Sequence, residues 1–124
     1  MQGLIDTNIL IDFMRGFTPA QKWLTGQTEL GVSGIVQMEL IAGAPNLVKQ
    51  KDALTLLKDF TLIEMANQDI IWAIRQLTQF RLSHNIGILD CLIAAPVYRL
   101  QIPFYTLNIK HFTPLLGQLV IRPY

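Results

Sequence analysis

Short apolar runs alternate along the chain with stretches whose apolar residues recur every three to four positions. The first kind suits buried strands; the second suits helices that pack one face on a sheet. Gly3–Ile5 predicts a short buried strand. Thr7 or Asn8 predicts the cap of a helix over residues 9–15 that Gly16 ends. Pro19 suits a first helical turn, so residues 18–24 predict a second short helix that stops near Gly26. Residues 30–32 are a second strand candidate, and Ser33 caps a helix over Gly34–Ala42 that Gly43-Ala44-Pro45 closes. Residues 46–60 are amphipathic, with Leu47, Leu54 and Leu57 set among charged positions.

Thr61–Ile63 predicts the third strand. Asn67 or Asp69 opens a long helix to about residue 83, with Ile70, Ile71, Ala73, Ile74, Leu77 and Phe80 as its stripe. After a break at 84–87, residues 89–100 are helical again, and Pro96 removes one backbone bond and predicts a kink. Residues 104–106 give a fourth strand, Ile109–Leu116 a short irregular helix around Pro114, and 119–121 a last strand. Strands alternating with helices predict an α/β fold with a parallel sheet covered on both faces. The 124 residues suit one domain spanning the chain.

Composition narrows the class. With 51% hydrophobic and 15% charged residues, the chain is not of the disordered type. No charged leader with an apolar core opens it, and no apolar run reaches the ~18 residues of a membrane span. Cys91 is the single cysteine, which together with the missing leader points to a reducing, cytoplasmic setting. A net charge of +1 neither supports nor excludes nucleic acid. The high apolar content hints at a partner surface.

Three of the nine acids stand apart. Asp52, Asp59, Glu64 and Asp69 lie among polar residues or segment ends and read as solvated positions or caps. Glu29 lies in a polar loop, and Asp12 is placed to pair with Arg15. Asp6 follows the first strand, where ligands bind in open α/β sheets. Glu39 and Asp90 each stand alone in an apolar helical segment, and helices apolar all round are buried. No lysine or arginine in these segments can pair with the three acids, and a lone buried charge is costly. Brought together they would repel one another without a cation. Oxygen ligands suit Mg²⁺ or Mn²⁺. Helix capping is the competing explanation for Asp6 and Asp90, but it explains Glu39 poorly.

Asp6-Thr7-Asn8 after the first strand, Met38-Glu39-Leu40 with Ala42-Gly43, Asp90-Cys91-Leu92-Ile93-Ala94-Ala95 and Thr106-Leu107-Asn108-Ile109-Lys110-His111-Phe112 together resemble the PIN-domain ribonucleases. Within that family the likeness is to VapC, the toxin of type II toxin–antitoxin pairs, and it covers essentially the whole chain. The resemblance implies a five-stranded parallel sheet between helices and an Mg²⁺- or Mn²⁺-dependent endoribonuclease, with Asp6, Glu39 and Asp90 as metal ligands and catalytic acids. Asn8, Thr106 and Asn108 are implied or candidate supporting residues. Family members often carry a fourth acid in the segment that here holds Thr106–Phe112 and has none, which puts a second metal in doubt. The likeness also implies a homodimer and a cognate VapB-like antitoxin. That partner would lie over the first helices and residues 46–60, with Phe13, Met14, Phe17, Trp23, Leu54 and Leu57 as candidate contacts.

The remaining residues read as follows. Lys110 and Arg15 are RNA-backbone candidates or solvated charges. His111 is a candidate to act near the site, with packing beside Phe112 the preferred reading; His84 reads as a helix-end residue, and Cys91 as an inert core thiol. Trp23 and Trp72 are base-stacking candidates, with core or interface packing preferred for Trp72. The alternative function is a PIN-like protein-interaction scaffold that no longer cuts. A phosphatase with Asp6 as nucleophile is disfavoured because Asn8 stands where a second aspartate is needed.

Overall fold

The computed structural model describes residues 1–124. Five parallel strands form one sheet in the order β3-β2-β1-β4-β5. They are β1 (Gly3–Ile5), β2 (Leu30–Ser33), β3 (Thr61–Ile63), β4 (Phe104–Tyr105) and β5 (Val120–Ile121). Seven helices connect them: α1 (Thr7–Met14), α2 (Thr18–Thr25), α3 (Gly34–Ala42), α4 (Leu47–Leu57), α5 (Asn67–His84), α6 (Ile88–Leu100) and α7 (Ile109–Leu116). The expected α/β architecture with a five-stranded parallel sheet is present. No helix is long and apolar enough to cross a membrane.

The strand order makes one point special. From β1 the chain winds outward through β2 to β3, then returns to β1's other side for β4 and β5. The crevice between the carboxyl ends of β1 and β4 is therefore a topological switch point, where open sheets bind ligands. Asp6 leaves β1 there, and Thr106 leaves β4. Leu4, Ile5, Val32 and Phe104 bring the sheet into the core, where they join Ile9, Leu10, Val36, Val97 and Phe112 from the helices. Gly3 is required by close packing: a Cβ there would stand 2.6 Å from the Tyr105 ring.

Several local expectations are corrected. Asp6, not Thr7 or Asn8, caps α1, because its carboxylate accepts from the Thr7 amide. The α5 stripe is not buried as a unit: Ala73 is, but Ile70, Ile71 and Ile74 face outward, since α5 packs mainly on α6 alone. Neither α3 nor α6 is buried all round, for Met38, Ile88 and Leu89 are exposed. α6 runs through buried Pro96 to Leu100. Asp12 bonds the hydroxyl of Tyr124 at 3.0 Å rather than pairing with Arg15. That bond, the charge of Asp12 and above all burial keep the Tyr124 phenol neutral by raising its pKa. Residues 117–119 form a 3-10 turn, so the last strand is shorter than expected.

Asp69 is a cap of α5, one of its two expected roles, but it is not solvated. It is only 1% exposed, and its carboxylate accepts from Arg99 at 2.9 Å and 3.1 Å and from the Ala66 amide at 2.8 Å. Arg99 also donates to the Glu64 carbonyl at 3.1 Å. This pair ties the start of α5 to the end of α6, and so sets the hairpin whose opposite end carries Asp90. Replacing Arg99 with Met leaves Asp69 buried without its cation. Urea denaturation at neutral pH is expected to show a loss of about 3 kcal/mol; a loss near zero would mean the pair does not hold the hairpin.

Candidate active site

Asp6, Glu39 and Asp90 line one cavity of ≈330 Å³ at the switch point, together with Thr7, Asn8 and Asn108. Each acid arrives by a different local rule. Asp6 is buried (6% exposed) because the β1–α1 turn is, and the helix end supplies a donor: the Thr7 amide bonds Oδ1 at 2.8 Å. Glu39 sits on α3, which Ser33 starts by accepting from the Val36 amide at 3.3 Å. Asp90 lies in the first turn of α6 and accepts from the Gly87 amide at 3.1 Å. Capping and cavity lining are thus not alternatives for Asp6 and Asp90, because each carboxylate does both.

Hydroxyls aim the acids. Thr106, fully buried, donates to Asp6 Oδ2 at 2.6 Å and accepts from the Asn108 amide at 2.9 Å. Thr7 donates to Glu39 Oε1 at 2.7 Å. Asn8 Oδ1 accepts from the Leu107 amide at 3.5 Å, joining α1 to the turn after β4. Sequence reasoning reached the hydroxyl of Thr106 but treated Thr7 only as a cap. A hydroxyl one residue after a strand-end acid was the available signal.

Of the two readings of His111, a place near the site fits better than packing on Phe112: its Nδ1 stands 3.6 Å from Asp90 Oδ2 and 3.2 Å from Asn108 Nδ2, and a third of the side chain is exposed. One helical turn separates Asn108 from His111, which brings both to the same side of α7. Cys91 is a buried core thiol as expected, its pKa raised by burial and by neighbouring Asp90. Trp23 packs on Tyr105 at 4.8 Å and Trp72 stacks on Tyr98 at 4.9 Å, so neither is a free base platform.

The electrostatics favour a cation. Asp6 has its pKa raised from 3.8 to about 6, first by burial, which the Thr106 and Thr7 bonds only partly offset, with smaller additions from the charges of Glu39 and Asp90. No lysine or arginine lines the cavity. The donor set is oxygen, which fits Mg²⁺ or Mn²⁺ better than zinc. As placed, no three His, Cys, Asp or Glu side chains are close enough to enclose an ion. Direct ligation by all three acids would therefore require the less buried Glu39 and Asp90 to rotate.

A model of the PIN domain family matches residues 3–111. The chain belongs to the PIN domain family. It is 32% identical over 120 residues to ribonuclease VapC10 of Mycobacterium tuberculosis, covering 94% of this chain and 89% of that protein. A solved toxin–antitoxin complex from Klebsiella pneumoniae is 27% identical, with a TM-score of 0.78 over 99% of this chain and 98% of that one. VapBC-1 from nontypeable Haemophilus influenzae shares the fold at 21% identity, with a TM-score of 0.81 over 98% of this chain and 97% of that one.

The raised Asp6 pKa predicts a stability effect in metal-free protein. Between 3.8 and about 6 the unfolded chain gives up its Asp6 proton while the folded chain keeps it. Stability present at low pH is therefore lost as pH rises through about 6, amounting to about 3 kcal/mol. In EDTA, Asp6→Asn should gain stability relative to wild type by up to that amount as pH goes from 4 to 7.5. A difference that does not change with pH would contradict the assignment.

Proposed function

We propose that the chain is a divalent-metal-dependent endoribonuclease, the toxin of a toxin–antitoxin pair, working in the cytoplasm on RNA. The single observation that supports this reading best is the shared cavity: three carboxylates from three separate elements line one opening that no basic residue lines. Relatives named as a ribonuclease and as toxin–antitoxin complexes support it from outside the chain.

Asp6, Glu39 and Asp90 are the residues that would hold Mg²⁺ or Mn²⁺, with Asn108 as a neutral neighbour. When bound, the ion supplies charge neutralisation at the scissile phosphate and a water made acidic enough to attack. The protein's own share is placement. Thr106 and the Thr7 amide fix both oxygens of Asp6, so its orientation is set before any ligand arrives. Thr7 occupies Glu39 Oε1 and leaves Oε2 to orient the attacking water or share the ion. Asn8 steadies the turn that carries Asn108. The segment Thr106–Phe112, where family members often carry a fourth acid, has none here, and His111 of that segment stands beside Asp90.

The antitoxin surface is the groove between α1 and the α3–α4 turn. A cavity of ≈430 Å³ lies there, walled by Ile11, Met14, Leu40, Pro45 and Ala53 and rimmed by Arg15 and Lys49. Of the candidate contacts, Leu57 is buried in the core and Trp23 is engaged with Tyr105, so neither is free for a partner, whereas Phe17 and Leu54 are exposed. A VapB-like segment with apolar anchors and acidic flanks fits this groove. The protein is read as a homodimer, consistent with Ile70, Ile71 and Ile74 exposed on α5.

Cleavage of a mixed pool of structured RNAs tests the activity, run with EDTA, Mg²⁺ and Mn²⁺ and mapped by sequencing. Wild type should cut only with metal, and Asp90→Asn should lose at least about a hundredfold in rate. Equal cutting by both proteins would mean a contaminant, and no cutting by either would favour the non-cutting scaffold. In the same assay Thr106→Val is expected to lose about tenfold in rate, and Thr106→Ser to restore it. Activity retained in the valine variant would remove the hydroxyl from the account.

A further inference from the structure

Asp90 has a second cavity on its other side. It measures ≈480 Å³ and is lined by Leu77, Arg81, Gly87, Ile88, Leu89 and Asp90 itself. That volume lies within the about 300–1,000 Å³ of ordinary ligand pockets. Because Asp90 also lines the three-acid cavity, the two openings meet along one side chain. We propose that this second cavity binds the nucleotide next to the scissile phosphate of a single-stranded RNA. The proposal rests on the nuclease reading above.

Three observations point to a nucleotide. The three-acid cavity has no cation in its lining, yet RNA is a polyanion and needs one close by. Arg81 is the cation in the adjoining wall, and it has no carboxylate partner, unlike Arg99, which pairs with Asp69. One of its terminal nitrogens donates to the Ile86 carbonyl at 3.2 Å, which fixes the guanidinium on the α5–α6 turn and leaves its other donors for a phosphate. Finally, Ile88 (64% exposed) and Leu89 (49% exposed) give the same cavity an apolar wall. A base turned out of its strand can lie against that wall, which a duplex does not permit without unpairing.

Fluorescence anisotropy with a short labelled single-stranded RNA of mixed sequence, in Ca²⁺, tests binding apart from cleavage. Arg81→Gln is expected to weaken binding about tenfold and to lower the slope of log affinity against log salt by about 0.7. Arg81→Lys should keep the slope. Ile88→Ser, at an exposed position, should weaken binding with the slope unchanged. Variants that bind as wild type does, or wild type that binds no RNA, would overturn the proposal. So would an Ile88→Ser protein whose sedimentation changes while its RNA affinity does not, since that face would then belong to a second copy. Arg81-dependent binding without any metal-dependent cutting would sink the nuclease reading, and with it the place of the nucleotide beside a scissile phosphate, while leaving an RNA-binding cavity at Arg81. Cutting by wild type with binding indifferent to Arg81 would sink the subsite alone.

Discussion

Negative charge gathered at the switch point of the sheet is the constraint on which the rest of the structure turns. Asp6 is buried beside two other carboxylates, and both burial and repulsion push its pKa to about 6. Such a group is kept near its charged form at neutral pH only by donors aimed at it. The fold supplies two: the first free amide of α1 and the hydroxyl of Thr106 across the β1–β4 crevice. These donors offset part of the cost, and a divalent ion is the natural complement for what remains.

Topology explains why those donors are in place. Only a strand order with β1 beside β4 brings Asp6 and Thr106 within 2.6 Å of each other from opposite ends of the chain. β2 leads through Ser33 into α3, whose second turn delivers Glu39. The α5–α6 hairpin, fastened at its far end by Asp69 and Arg99, delivers Asp90 in the first turn of α6. Capping chemistry is reused as site chemistry, since a helix start offers unbonded amides and tolerates an acid.

The parts legible in the sequence were those that local rules decide. The strands were found by apolar runs, α3 to the residue by its Ser33 cap and Gly43 stop, and the three acids by their isolation among apolar neighbours. What escaped depends on distant partners. Asp69 reads locally as a solvated position or a cap; the cap is there, but burial against Arg99, 30 positions later, is invisible to local reasoning. For His111 the sequence favours packing over a place near the site, because its neighbour in sequence is Phe112, whereas its neighbour in space is Asp90. The α5 isoleucines looked buried because periodicity reports an apolar face and not what covers it.

Mn²⁺ titration of the purified protein by calorimetry tests the central claim most directly. The account predicts saturable binding at pH 7.5 that is lost in Asp6→Asn, and that weakens in wild type as pH falls below about 6, where Asp6 takes up its proton. Binding of equal strength in both proteins, or unchanged at acid pH, would contradict the claim that these carboxylates form a metal site.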